Sequence, residues 1–346
     1  MRNVWDENPG YMDLGVFSKI ILDLNRFDPK PMIFFGGYGE PLSHPNILDM
    51  IGMAKYLGFT VELITNGTLL IPAVAAKLVS LCIDRIWVSL DGSTRERYAD
   101  VRLGDELPQV IANLEELLRL RTISIPELPK LGIAFVAMKR NISDLPAVIQ
   151  LGKRLGADMF SISNVLAHTK ELQQEVLYQK SLYFMDDSPS HWMPKIQLPR
   201  MDLNESTQLP LIKIMKSRNN FGLARKDIST GSNSCPFIES NSTSIRWDGS
   251  VSPCLPLLHS HESYLDDSLR KSYSFSVGNV KDKSLNEIWN DQPYQQLRDR
   301  LKIFDFSPCT YCNSCEMAEA NLEDCFGNAQ PACGGCLWAQ GFIQCP

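Results

Sequence analysis

The 346-residue chain contains no apolar run long enough to cross a membrane, no run of lysine and arginine, and no collagen-like or disordered composition. These absences exclude a membrane-spanning protein and a fibrous one, and with a formal net charge of −6 they argue against a nucleic-acid backbone as the main partner. The opening ten residues, MRNVWDENPG, carry no apolar signal segment, so the expected compartment is reducing, the cytoplasm. Cysteine is nearly absent from the first two thirds. Cys82, in the apolar helical stretch VSLCI, stands alone there and reads as a small buried hydrophobe. With 44% hydrophobic and 21% charged residues, the chain suits a large enzyme domain followed by a smaller one.

The other nine cysteines are Cys235, Cys254, Cys309, Cys312, Cys315, Cys325, Cys333, Cys336 and Cys345. Three chemistries compete for them. A disulfide framework fits neither the compartment nor a chain of this length. Zinc fits Cys309-x-x-Cys312 and Cys333-x-x-Cys336, which have near zinc-ribbon spacing, but leaves five cysteines without a role. Two four-iron clusters, with four thiolates each, would use eight of the nine. Soft thiolates suit such clusters, and iron–sulfur binding is the expectation, with the ninth cysteine not assigned by spacing.

Residues 13–164 alternate helical periodicity with short apolar runs of strand length. Asp13 is a candidate N-cap for a helix carrying Leu14, Phe17, Ile20, Ile21 and Leu24, and Met32 to Phe35 reads as a buried strand. The same helix-then-strand unit recurs through Ile47 to Ile64, Ala73 to Leu90, Val110 to Ala137 and Leu145 to Ile162. That order predicts a parallel α/β sheet. The leading helix has no strand before it, which leaves a first strand unaccounted for.

Ligands of parallel α/β folds lie at the carboxyl ends of the strands. Four loops there are chemically pointed: Gly36-Gly37-Tyr38-Gly39-Glu40, Thr65-Asn66-Gly67, Ser89-Leu90-Asp91-Gly92 and Ser161-Ile162-Ser163-Asn164. The glycines let backbone approach a ligand, and Glu40 could hold an ammonium group. Each loop alone is also ordinary turn chemistry, but four on one rim exceed what turns require.

FFGGYGEPLSHP, TNG, SLDG and the SISN segment resemble the cofactor-binding loops of the radical S-adenosylmethionine enzymes that carry a C-terminal SPASM-type auxiliary cluster domain. The resemblance implies that Gly36, Gly37 and Glu40 contact the methionine amino group of S-adenosylmethionine. It assigns Asn66, Ser89 and Asp91 to ribose and carboxylate contacts, Ser163 and Asn164 to the adenine side, and Arg102 of YADVRLG to the cofactor's vicinity. Cys235 with WDGSVSPC, Gly278 to Leu301 and the cysteines from Cys309 onward are similar to the SPASM domain itself. RNVWDENPGYM, SISNVLAHT and CGGCLWAQGFIQCP narrow the resemblance to the proposed maturases of tungsten-containing aldehyde ferredoxin oxidoreductases.

The implied architecture is a partial (β/α)6 TIM-type barrel lacking its first strand over residues 1–165, a bridge over 166–234, and a SPASM-type iron–sulfur domain over 235–346. The implied cofactors are two auxiliary 4Fe-4S clusters and S-adenosylmethionine. The implied activity is hydrogen abstraction by a 5′-deoxyadenosyl radical from a partner protein, peptide or tungsten cofactor, with ferredoxin or flavodoxin as electron donor. The family's Cys-x-x-x-Cys-x-x-Cys signature does not occur in this sequence. MRNVWDE resembles the stretch after its third cysteine, so the expectation is a longer natural chain holding a third cluster. A different class stays open: an inactive iron–sulfur or zinc-bearing scaffold or electron-transfer partner, for which Glu40, Asn66, Ser89 and Asp91 would have no evident use.

Between residues 165 and 234, Asp186-Asp187-Ser188-Pro189 and Gln197-Leu198-Pro199 break long helices, leaving helical stretches expected at Leu172 to Phe184 and Leu209 to Met215. His168, His259 and His261 read as solvated, His44 as a turn residue, and Trp247 and Trp338 as shields over the metal sites.

Overall fold

The computed structural model describes residues 10–102, 105–183, 198–216, 222–223, 233–312 and 315–345, with backbone alone at 99–102, 183, 215–216 and 222–223. Six strands form one sheet: β1 Ile33–Phe35, β2 Val61–Thr65, β3 Arg85–Ser89, β4 Lys130–Ala137, β5 Ala157–Asn164 and β6 Gly222–Leu223. Their order in space is their order in sequence, and β1·β2, β2·β3, β3·β4 and β5·β6 pair in parallel. Each crossover therefore advances the sheet in one direction, which is barrel winding and not the mid-sheet reversal of a doubly wound fold. The parallel α/β expectation holds.

Helices Ile47–Tyr56, Pro72–Ser80, Leu107–Thr122 and Leu145–Arg154 fill the crossovers. Helix Leu107–Thr122 shows why they form: Val110, Leu114 and Leu117 recur at helical spacing and are buried. The returns into the sheet are tight. After Ile47–Tyr56, Gly58 takes φ +79°, and Phe59 N–H reaches back to Ala54 O at 3.1 Å. After Pro72–Ser80 the equivalent position is Cys82, at φ +53°, with Cys82 N–H donating to Val79 O and Ile83 N–H to Leu78 O. Both are Schellman closures, which normally use glycine. Cys82 is thus a half-buried residue beyond the helix end and not the buried helical hydrophobe expected.

Among the described residues the chain divides into two compact units: Asn25–Ser163 with Leu203–Arg225 and Cys345–Pro346, and Met1–Leu24 with Asn164–Asp202 and Lys226–Gln344. These groupings cut across the boundaries expected at 165 and 234. Helix Glu205–Lys216 and β6, both within the expected bridge, belong to the sheet unit. Of the other bridge helices, Lys170–Gln173 and a 3-10 turn at Ser181–Tyr183 form, while Phe184 lies outside the described residues.

The leading helix Leu14–Leu24 belongs to the cysteine-rich unit. Asp13 caps it as expected, its Oδ1 accepting from Gly15 N–H and Val16 N–H at 2.8 and 3.2 Å. Its Ile20 enters the apolar core formed by Val251, Val280, Leu285, Ile288 and Leu297. This helix is therefore not the first half of a helix–strand unit, despite its periodicity. No helix among the described residues is long and apolar enough to cross a membrane.

Candidate metal centre and cofactor rim

The rim of the sheet is organised around Glu40. The chain leaves β1 through Gly36, where a Cβ would overlap the ring of Phe34, and Gly37, at φ +110°. Both positions therefore require glycine. Glu40 then caps a short 3-10 turn, its Oε1 accepting from Leu42 N–H at 3.1 Å. The same carboxylate ties β1 to β2: Oε1 accepts from Thr65 Oγ1 at 2.7 Å and Oε2 from Asn66 N–H at 2.8 Å. Three donors hold the group in place, and the residue remains half-buried. Asn66 Oδ1 accepts from Thr68 N–H and Thr68 Oγ1, an Asx turn that sets the loop. Gly67, at φ +82°, is covered by Val88 and Val110.

The remaining rim residues divide by burial. Ser89 ends β3, and Ser163 lies one residue before the end of β5, both half-buried. Asp91 is 2% exposed, its Oδ1 accepting from Val136 N–H at 2.7 Å, so it locks the β3 loop to β4. Asn164 is 2% exposed, and its Nδ2 donates to Arg200 O at 2.8 Å and Phe342 O at 2.9 Å. Its amide thus holds the C-terminal segment. Arg102 closes helix Arg95–Arg102, but its side chain lies outside the described residues.

Two rim supports escaped sequence reading: Asn113 and Asn141. Asn113 Nδ2 donates to Gly67 O at 2.8 Å, and Asn141 Nδ2 to Asp91 O at 3.2 Å and Val136 O at 2.9 Å. For Asn113 the signal available was an asparagine on the buried face of an apolar helix, which must find partners; Asn141, in the loop after β4, offered none.

In the cysteine-rich unit, one cavity of about 100 Å³ gathers Cys235, Cys254, Cys309, Cys333 and Cys336 among apolar residues such as Leu257 and Leu337. Burial pushes the Cys235 thiol up to about 12, with Cys336 adding to it. Burial likewise raises Cys254, followed by the charges of Cys336, Cys235 and Cys333. Cys333 is raised by burial, then by Cys336 and Cys235. Four sulfurs near enough to oppose one another's ionisation define one set.

Cys309, Cys312 and Cys315 form another, around Arg270, whose charge all three favour. Burial raises the Cys309 thiol, against its 3.0 Å contact with Ser307 Oγ. The two sets pack closely. A Cβ on Gly334, inside the Cys333-x-x-Cys336 loop, would overlap the carbonyl oxygen of Ser307. Cys325 is exposed and follows the buried Asp324. Cys345 is half-buried.

The donor chemistry fits an iron–sulfur cluster. Among the described residues no three His, Cys, Asp or Glu side chains converge to hold one metal ion. Burial and the neighbouring sulfurs disfavour the thiolate at these cysteines, a cost that the positive charge of bound iron would offset.

The histidines depart from expectation. His168 and His261 are 6% and 4% exposed, with ring centroids 5.6 Å apart, and burial lowers both pKa values. They are packed, not solvated. His44 Nδ1 accepts from Asn46 N–H, a turn contact as expected. Trp338 lines the cavity, but Trp247 does not, its ring lying against Gly10 instead.

Residues 235–316 match the family model described as SPASM, an iron–sulfur cluster-binding domain. Over 346 residues the chain is 32% identical to the tungsten-containing aldehyde ferredoxin oxidoreductase cofactor-modifying protein of Pyrococcus furiosus, covering 99% of this chain and 91% of that protein. Among solved structures, anSMEcpe with bound AdoMet superposes with a TM-score of 0.58 at 15% identity, over 90% of this chain and 79% of that one. Streptococcus suis SuiB gives 0.55 at 14% identity, over 82% of this chain and 61% of that one. These structural likenesses concern the fold.

Proposed function

Since the chain belongs to the radical S-adenosylmethionine proteins with a SPASM iron–sulfur domain, in the family of the tungsten-containing aldehyde ferredoxin oxidoreductase cofactor-modifying protein, we propose that it is a maturase acting on a partner oxidoreductase. The substrate would be a peptide, a protein side chain or the tungsten cofactor of that partner. Where the family's three-cysteine cluster is present, bound S-adenosylmethionine would supply a 5′-deoxyadenosyl radical able to take a hydrogen atom from the substrate. The protein's own residues bind, orient and exclude water.

Glu40 would receive the cofactor's ammonium group. A carboxylate offers roughly four lone-pair positions; three donors occupy positions on Glu40, which leaves acceptor capacity on a group already fixed in direction. Gly36 and Gly37 would let backbone approach the same ligand, and Asn66, Ser89, Ser163 and Arg102 would bind its polar edges. Asp91 and Asn164, committed to backbone partners, would act by holding the rim in shape.

The observation that carries this reading is a cavity lined by Cys235, Cys254, Cys333 and Cys336, with Cys309 also on its wall. These four would hold one auxiliary 4Fe-4S cluster. Cys309, Cys312 and Cys315 would hold the other, with Cys325 as candidate fourth ligand. Ferredoxin or flavodoxin would deliver electrons, and the cytoplasm is the compartment that keeps such thiols reduced.

The test is iron, sulfide and zinc per chain after anaerobic purification and reconstitution. Roughly eight irons with matching sulfide are expected for two clusters. Zinc with little iron would overturn the assignment and leave a binding scaffold.

A further inference from the structure

Arg270 lies on strand Ser268–Ser272, paired with His261–Leu265 in a hairpin. It is 8% exposed and lines the cysteine cavity together with Cys309. Its Nη2 donates to Cys312 O over a long 3.4 Å. Nε and Nη1 are buried with no acceptor among the described residues. A guanidinium has five N–H donors in a rigid fork and keeps its charge in proteins. Leaving two of its nitrogens dry and unpaired is strongly unfavourable unless an anion completes the site.

The surroundings point to that anion. Burial works against the charge of Arg270, and the groups that favour it are Cys309, Cys312, Asp266 and Cys315, in that order. Gly335 makes the approach possible: a Cβ there would stand 3.2 Å from Nη1 of Arg270 and 3.5 Å from Cβ of Cys309. The guanidinium edge and the Cys309 side chain therefore face the same glycine, inside the Cys333-x-x-Cys336 loop.

We propose that Nε–H and Nη1–H of Arg270 donate hydrogen bonds to sulfur of the cluster held by Cys309, Cys312 and Cys315, raising that cluster's reduction potential. The inference rests on the cluster assignment above. Adding an electron makes the cluster more negative, so a fixed cation and directed N–H groups stabilise the reduced form more than the oxidised one. Arg270 is thereby a positioning and tuning residue, setting which of the two clusters is reduced first.

The experiment is a potentiometric titration, followed by electron paramagnetic resonance, of the reconstituted full chain and of R270Q and R270K. Iron content of the wild-type chain tests the cluster assignment separately, so the two failures are distinguishable. R270Q is expected to keep its iron while one midpoint falls by about 59 mV, a tenfold shift in a one-electron equilibrium, and the other stays put. R270K, which keeps the charge but not the fork, should fall part of the way. In deuterated buffer the wild-type reduced cluster should show exchangeable deuteron coupling by electron–nuclear double resonance, absent in R270Q. Wild-type potentials in both variants would overturn the proposal. If R270Q does not fold, R270K decides, since wild-type potential and undiminished deuteron coupling in that variant would overturn it as well.

Discussion

Asp23 and Leu285 lie 262 positions apart, yet Asp23 Oδ2 accepts the backbone N–H of Leu285 at 3.1 Å in a buried setting. Leu285 opens helix Leu285–Trp289, whose Ser284 and Glu287 form a capping box. Asp23 supplies a further acceptor to that N-terminus, where orphan donors and the helix dipole both favour a carboxylate. Substitution D23A should lower unfolding stability by about 1–3 kcal/mol, since it leaves a buried donor unmet. Denaturant titration followed by near-ultraviolet circular dichroism measures this, and E287A, which is more exposed, should lose less.

Glu40 makes the sharpest prediction for the rim. E40Q should weaken S-adenosylmethionine binding by about tenfold to a hundredfold, the range of a charge-assisted hydrogen bond worth about 1.5–3 kcal/mol. T65V removes one of the donors that aim the carboxylate but leaves its charge, so its loss should be smaller. Equilibrium binding of the cofactor to the reconstituted chain separates the two variants.

Gly334 faces the carbonyl of Ser307 with no room for a methyl group. G334A must push the Cys333-x-x-Cys336 loop away from Cys309 and should cost about half the iron, which elemental analysis reads directly. G327A is the control. That glycine meets nothing within 4 Å but sits at φ +85°, so a loss of about 1–2 kcal/mol in stability with full iron is expected there.

Asp248 gives an acid limb. Burial opposes its ionisation, but bonds from Arg246 and Ser250 outweigh it and bring the carboxyl down to about 2 from 3.8. A carboxylate depressed on folding stabilises the native state above its unfolded pKa and loses that contribution as pH falls through the folded value. The contribution, about 2 kcal/mol from the shift, is therefore complete above pH ~5 and lost towards pH ~2. D248N should flatten the stability profile in that window.

Cys82 can be improved. It occupies a left-handed position at a Schellman closure that Gly58 fills in the preceding unit. C82G should raise stability by up to about 1 kcal/mol, because glycine removes the strain but adds unfolded-state entropy. Thermal unfolding is sensitive enough to show it.

The parallel sheet was legible because its helices carry apolar residues at regular spacing and its strands are short unbroken apolar runs. The same periodicity misled at Leu14–Leu24, since an apolar stripe records that a face is buried and not what buries it. Glu40 and the cysteines were legible from residue type and spacing. Arg270, Asn113 and Asn141 were not, because a buried polar group announces itself only once its burial and its partners are known. His168 and His261 show the converse error: polar neighbours in sequence suggested solvent, while both are buried, their rings edge to face and His168 Nδ1 against Glu262 O of the hairpin strand.

The packing of Leu14–Leu24 into the cysteine-rich unit has a consequence in time. At about 5–20 residues per second, a ribosome needs roughly 13–50 s to travel the 262 positions from Asp23 to Leu285. Throughout that interval Ile20, buried in the finished protein, lacks the part of its core that Leu285, Ile288 and Leu297 supply. Helix Leu14–Leu24 is thus made long before its core is complete, and its apolar stripe stays partly uncovered for that wait.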